Sequence, residues 1–335
     1  VYKRQGFARA LTVRPFDFPD DHGPHPDYAT EWWYFTGNLR DAEGRRFGYQ
    51  LTLFRVGLRP GEPAGDSRWR AHQVYMGHLA ISDIDASTHY RAERFSRAAA
   101  GLAGARADPL HVWLGPWSIR GSEGALFPLR LSAQSEEIAL ELAVGPGSKP
   151  LVAQGERGLS RKSAAPGNAS YYYSFTRLPT HGELRVGERR FQVAGDSWFD
   201  REWSSSALGP DQAGWDWFAL QLEDGRDLMF YRMRGQDGRA QAFSRGVLVE
   251  ADGTVHSIGL GDVALRPTRT WRSVDDVAYP VAWRLAVPSH GLDLEVEAAF
   301  DEQEMDVSVR YWEGAVVVSG SERGVGYLEL SGYLR

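Results

Sequence analysis

Ile138-Ala139-Leu140-Glu141-Leu142 alternates large apolar residues with small or charged ones at every step. On an extended chain adjacent side chains point to opposite faces, so this spacing predicts a half-buried β-strand. The same period recurs on either side. Tyr49, Leu51 and Leu53 alternate with Gln50 and Thr52, and Leu292, Leu294 and Val296 alternate with Asp293 and Glu295. Asp-Gly pairs at Asp224-Gly225, Asp237-Gly238 and Asp252-Gly253 are each flanked by strand-like runs. They predict a meander of hairpins, because tight hairpin turns need residues that tolerate positive φ. Helical periodicity is scarce. Ala98 to Ala105 is small and glycine-punctuated and is expected to be loop, while Asp301 to Asp306 is expected to hold a helical turn. Many short strands with few helices make an all-β chain of antiparallel sandwiches or barrels.

The chain has 335 residues, enough for two domains with sizeable cores. Its composition is 42% hydrophobic and 24% charged, ordinary for a globular protein. A net charge of −6 argues against a nucleic-acid partner, since a general phosphate-backbone binder presents an excess of Lys and Arg. No apolar run approaches the roughly 20 residues a transmembrane helix needs. With no cysteine, disulfides, thiolate metal sites and cysteine nucleophiles are all excluded. The opening Val1-Tyr2-Lys3-Arg4-Gln5 reads as a processing or vector remnant, and a leader upstream is left open. Two loops stand out: Arg59 to Arg68, and Gly145 to Asn168, which is expected to form a flexible flap. A boundary is expected near Asp200 to Pro210, where an aromatic-acidic run gives way to Ser and Gly.

Aromatic residues next to carboxylates are the unusual feature, within a total of 12 Trp, 14 Tyr and 15 Phe. One cluster is Glu31-Trp32-Trp33-Tyr34, preceded by His22, His25 and Asp27. A second is Asp196 to Trp203, followed by Trp215-Asp216-Trp217, and a third is Tyr311-Trp312-Glu313-Gly314 with Gly326-Tyr327-Leu328-Glu329. Strand geometry puts Glu31 with Trp33 and Trp32 with Tyr34; likewise Asp200 shares a face with Glu202, and Arg201 with Trp203. A desolvated carboxyl stays neutral and can donate a proton, and aromatic faces stabilise a cation formed beside it. The plainer reading makes these residues core filling and buried ion pairs, with Glu31 and Arg201 as a salt bridge joining the domains. The nine His form no metal template; His22 and His25 beside Asp21 and Asp27 are the weak exception. His78 is expected to be a core or pocket hydrogen-bonder. Serine-hydrolase elbows and phosphate-cradling glycine motifs are missing.

Four of these segments, in order, resemble the carotenoid 1,2-hydratase / AttH-like family. His25-Pro26-Asp27-Tyr28 leading into Glu31 to Gly37 is similar to its opening signature, and Gly195 to Trp203 to its mid-chain signature. Gly214-Trp215-Asp216-Trp217-Phe218 follows in place, and Tyr311 to Val316 with Gly326 to Tyr333 resembles the C-terminal one. The resemblance implies two lipocalin-like, calycin-type domains, assigned to residues 1–203 (1–24 an irregular lead-in) and 204–335, with Asp200 to Trp203 near their junction. It also implies a hydrophobic isoprenoid or lipid ligand and no cofactor. Some members add water to a terminal double bond of an acyclic carotenoid; others are exported proteins associated with ABC-type permeases. Carotenoid hydratases tend to carry His where this chain has Arg201, and Arg cannot serve as a neutral base. On that ground the first expectation is an exported or periplasmic protein that binds a hydrophobic molecule for an ABC transporter, with a cytoplasmic location left open. The alternative is a cofactor-free hydro-lyase, and sugar binding or hydrolysis is a third. Asp200 and Glu202 are the candidate proton donors. Glu31, Trp33, Tyr34, His78, Arg201, Trp203, Trp215, Trp217, Tyr231, Trp312 and Glu313 are the candidate ligand-binding residues.

Overall fold

The computed structural model describes residues 6–61, 69–206 and 208–334. The opening Val1 to Gln5 and most of the Arg59 to Arg68 loop lie outside the described residues. The first sheet comprises β1 (Thr30–Asp41), β2 (Arg46–Gly57), β3 (Gln73–Asp83), β4 (Thr88–Arg97), β5 (Ala103–Arg106), β6 (His111–Leu114), β7 (Trp117–Ser122), β8 (Ala125–Gln134), β9 (Ile138–Val144), β10 (Val152–Ala153), β11 (Leu159–Arg161), β12 (Ala169–Val186) and β13 (Arg189–Ser204). The second comprises β14 (Gln212–Leu222), β15 (Asp227–Gly235), β16 (Arg245–Val249), β17 (Val255–Gly259), β18 (Ala264–Arg272), β19 (Ala278–Val287), β20 (Leu292–Ala298), β21 (Glu304–Met305), β22 (Tyr311–Gly320) and β23 (Gly324–Ser331). All pairings are antiparallel. The order is β4-β3-β2-β1-β13-β12-β9-β8-β7-β6-β5 in the first sheet and β17-β16-β15-β14-β23-β22-β20-β19-β18 in the second. The architecture is a nearly closed barrel beside a half-barrel, two lipocalin-like units. Among the described residues no helix is long and apolar enough to cross a membrane.

Closure of the barrel brings its two sheet ends together. The Trp117 ring packs where a Cβ on Gly77 would sit, 2.8 Å away, so only glycine admits it. The Arg94 guanidinium lies 5.9 Å from the same ring.

Which strands keep a clean alternation follows from what covers their outer faces. In β9, Ile138, Leu140, Leu142 and Val144 are buried while Glu141 is exposed, because one face lines the barrel and the other meets water. In β1, residues Trp33 to Gly37 are all buried. Both faces of β1, β12, β13 and β14 are covered, one by a core and one by the opposing half, so these strands read as near-continuous aromatic runs. The two halves approach closely at Gly48, where a Cβ would stand 2.6 Å from the Tyr327 hydroxyl.

Three local expectations are corrected. The Gly145 to Asn168 segment is packed rather than loose: β10 and β11 both add to β12, and Lys149, Val152, Gln154 and Ser160 are buried. Asp301 to Asp306 holds the short strand β21, not a helical turn. In the Asp-Gly turns only the glycines, Gly225, Gly238 and Gly253, adopt positive φ. The buried ion pairs that join the halves also do not include Glu31–Arg201. Asp227 of β15 receives Lys149 Nζ at 2.7 Å and Arg177 Nη2 at 2.6 Å, with the Thr176 hydroxyl donating at 2.7 Å. Thr176 and Arg177 reach it because β12 is irregular between Phe175 and Leu178, which re-aims both side chains.

Candidate functional site

The strand period divides the candidate residues between two faces. Glu31, Trp33, Arg201 and Trp203 turn into the barrel, and all four are fully buried. Glu31 lies opposite Arg55 on β2 and opposite Trp203 on β13, and it forms ion pairs with both Arg55 and Arg201. Burial alone would raise the Glu31 carboxyl, but the two guanidiniums overcome it and hold it well below the usual range. Arg201 stacks over the Trp33 ring at 4.0 Å and donates to the carbonyls of His22 and Gly23. His25 stacks flat on Trp203 at 3.9 Å and reaches Asp21 at 2.9 Å. The lead-in chain is therefore fastened across this end of the barrel, and the His25-Pro26-Asp27-Tyr28 signature belongs to that fastening. His22 and His25 are engaged with Tyr173, Asp21, Glu31 and Arg201, an arrangement for holding the lead-in rather than a metal.

The other half repeats the device. Asp216, directly opposite Arg232 on β15, pairs with Arg232 and Arg234 at 2.6 Å each and accepts from the Tyr333 hydroxyl at 2.6 Å. Trp312 faces the half-barrel core, its indole nitrogen donating to the Asp301 carbonyl at 2.7 Å, and it does not reach the junction.

The opposite faces of the same strands meet in a seam between barrel and half-barrel. Tyr34, Asp200, Glu202, Trp217, Tyr231 and Glu313 all lie there, with Trp215 at its edge. Asp200 accepts three hydrogen bonds: Ser174 Oγ and Trp198 Nε1 on Oδ1 at 2.5 and 2.7 Å, and the Tyr172 hydroxyl on Oδ2 at 2.5 Å. Burial nonetheless outweighs these donors, and with Glu202 nearby the Asp200 carboxyl is pushed up to about 7. Glu202 accepts from Ser170 and has the Lys162 ammonium 3.2 Å away. Lys162 itself lies over the Tyr231 ring at 4.3 Å.

Glu313 and Glu329 face each other across β22 and β23. Burial, reinforced by the Glu329 charge, holds the Glu313 carboxyl well above its usual range. The Tyr34 hydroxyl donates to Glu313 Oε1 at 2.5 Å, whereas Oε2 is buried with no hydrogen-bond partner among the described residues. Glu329 accepts from Trp215 Nε1 at 2.9 Å, and burial, with Glu202 and Asp200 nearby, pushes it up to about 7. Of these four carboxyls only Glu202 makes an ion pair among the described residues. Aromatic rings wall the space: Trp217 meets Tyr34 edge-on at 5.3 Å and Trp198 at 6.2 Å. His78 links Glu93 (3.1 Å) to the Tyr311 hydroxyl (2.9 Å), which lies two residues from Glu313 on the same face. Burial lowers the His78 imidazole despite Glu93.

A cavity of about 360 Å³ opens elsewhere, beside Pro24 and Pro26 at the barrel mouth, lined by His72, Tyr75 and Trp113. It carries no carboxyl, so it is not where the seam's acids act.

The model of the AttH-like family matches residues 9–333. The chain belongs to the AttH-like family. Among solved structures, an AttH protein from Nitrosomonas europaea is 34% identical with a TM-score of 0.87, over 98% of this chain and 100% of that one. Kievitone hydratase from Nectria haematococca is 14% identical with a TM-score of 0.71, over 98% of each chain. CghA, solved with Sch210972, is 14% identical with a TM-score of 0.57, over 99% of this chain and 98% of that one; at such identity these two speak for the fold. No curated protein sequence matches the chain.

Sequence reasoning placed Glu329 and Trp198 in its aromatic-acidic clusters without making either a candidate site residue, and passed over Tyr172, Ser174 and Lys162. The first four carried a signal: Tyr172 and Ser174 share a strand face within Tyr171-Tyr172-Tyr173-Ser174, Trp198 shares one with Asp200, and Glu329 sits two residues from Tyr327. Lys162 sits in the Gly145 to Asn168 segment, whose composition reads as loop.

Proposed function

We propose that this AttH-like protein binds a hydrophobic, isoprenoid- or lipid-like molecule at the seam between its two domains, divided at 203/204, and protonates it without a cofactor. The observation that carries this is Glu313: a buried carboxyl held neutral, with one oxygen unpartnered, among Trp and Tyr rings. In a hydration the Glu313 proton adds to the less substituted alkene carbon, leaving a tertiary cation. The faces of Trp215 and Trp217 stabilise that cation, by roughly 1–2 kcal/mol per ring when desolvated. Water adds to the cation, and its surplus proton passes by way of Asp200 to the Glu313 carboxylate, so alkene and water give alcohol with the acid restored. Asp200, whose oxygens already accept three hydrogen bonds, suits the role of proton acceptor, and Glu202 with Lys162 that of a fixed charge. Glu93, His78 and Tyr311 form a polar path from the surface toward Glu313.

Arg201 weighed against hydro-lyase chemistry in the sequence. Its guanidinium lies on the barrel face, paired with Glu31, so it does not bear on proton transfer at the seam. The likeness of fold to a hydratase supports the same reading. A second reading keeps the seam as a binding site alone, in an exported protein that passes its ligand to an ABC permease. It needs only the seam's aromatic lining and its uncharged carboxyls as polar points, with no proton transfer.

The test is incubation with acyclic isoprenoid alkenes in ¹⁸O-labelled water, followed by mass spectrometry of both bound and released material. A product heavier by one labelled water, lost in Glu313→Gln while the alkene still binds, supports the acid reading. Stoichiometric unmodified ligand points to the carrier, and no binding overturns both.

A further inference from the structure

Three metal-ligating side chains from two turns of the half-barrel converge apart from the seam carboxyls. Glu250 follows β16, His256 lies on β17, and His290 ends the 3-10 turn Pro288–His290 between β19 and β20. We propose that Glu250, His256 and His290 form a binding site for a divalent cation of the zinc class, bracing the open edge of the half-barrel.

His256 Nε2 lies 3.4 Å from Glu250 Oε1, and His290 Nδ1 lies 3.8 Å from the same oxygen. All three ligand atoms fall within 4.8 Å of one another. These separations are longer than hydrogen bonds of about 2.7–3.2 Å, so the groups converge without bonding one another directly. They suit a shared cation instead. Zinc holds nitrogen and oxygen ligands at about 2.0–2.1 Å in a tetrahedron, which places ligand atoms roughly 3.3–3.4 Å apart. Two imidazoles with one carboxylate match zinc rather than calcium or magnesium, which take oxygen ligands. All three side chains are half-buried, so a cation can enter from solvent, and a fourth position is left for water.

Two backbone contacts fix the ligands. The Glu250 N–H donates to the Thr254 carbonyl at 2.8 Å, and the His290 carbonyl accepts from Arg226 Nη1 at 3.0 Å. Arg226 does not leave an uncompensated positive charge there, because Asp224 at 2.6 Å and Glu322 at 3.6 Å pair with it. Topology supplies the consequence. β17 ends the sheet on one side and β18 on the other, with no ladder between them among the described residues. Glu250 and His256 belong to the first end, and His290 to the β19–β20 turn beside the second. A cation held by all three ties together edges that no backbone ladder joins. The seam acids take no part, so this site stands or falls independently of the proposed function.

The experiment is a Zn²⁺ titration of the full, chelator-treated protein, followed by native mass spectrometry, calorimetry and thermal melting. One zinc per chain and a rise of several degrees in Tm are expected. His256→Ala and His290→Ala, both at partly exposed positions, should each weaken binding at least 100-fold while leaving the zinc-free Tm within a few degrees. Absence of stoichiometric zinc in the wild type, or equal binding by the double variant, overturns the site.

Discussion

Glu31 and Asp200 sit on neighbouring strands, are both buried, and end in opposite states. Glu31 points into the barrel, where Arg55 and Arg201 hold it ionised. Asp200 points into the seam, where hydroxyl and indole donors do not compensate burial, and its carboxyl rises to about 7. Desolvation opposes the charged form at both sites, so the difference lies in the counter-charges. Paired acids such as Glu31 and Asp216 hold the two halves in shape. The seam acids Glu313 and Glu329 instead hold protons ready at a hydrophobic junction, with Asp200 poised to exchange one near neutral pH, an arrangement that does nothing for stability above neutral pH.

The contrast can be broken in graded steps. The largest effect is expected on turnover: Glu313→Gln should lower it by about 10²–10⁴-fold, the usual worth of a general acid, with ligand affinity kept. Retained turnover would move the acid elsewhere in the seam. Next is stability. Glu31→Ala leaves two buried guanidiniums unpaired and should cost about 3–5 kcal/mol in denaturant unfolding. Glu329→Gln keeps the Trp215 bond and removes a poorly paired acid, so at pH 8 it should be neutral or stabilising.

A third difference is in pH dependence. Asp200 and Glu329 have folded-state values raised above the ordinary carboxyl range, so each contributes stability that is full below about pH 4. That stability is lost as the pH rises through about 7. The slope should approach about 1.4 kcal/mol per pH unit for each group, and Glu329→Gln should remove its share. Glu31 works with the opposite sign. Its lowered value contributes stability present above the ordinary carboxyl range and lost only as the pH falls below it. The smallest effect on ligand binding is expected for Glu31→Gln/Arg201→Met, which strips Arg55 of its counter-charge and lowers stability but leaves the seam face untouched.

Much of this two-sided arrangement is legible in the sequence, because period two separates Glu31 from Tyr34 and Asp200 from Arg201 without knowledge of the fold. What period two cannot say is which face meets which partner. Trp312 and Glu313 adjoin in the chain, yet one fills the half-barrel core and the other faces the seam. The seam carboxyls come together only because β13 of one half meets the β22–β23 hairpin of the other, on which Glu313 and Glu329 stand opposite each other. Lys162 carried no signal, since a packed segment rich in Gly and Pro has the composition of a loose loop. The Glu250, His256 and His290 convergence was equally hidden, since only the fold brings His290 to the hairpin that carries the other two.

The most direct test of the central claim is a ¹³C NMR titration of the side-chain carboxyls, with Asp200→Asn, Glu313→Gln, Glu329→Gln and Glu31→Gln supplying assignments. The account predicts that Asp200 and Glu329 titrate near pH 7, Glu313 above the usual carboxyl range, and Glu31 below it. Seam carboxyls that all titrate below pH 5, alongside the surface acids, would contradict it.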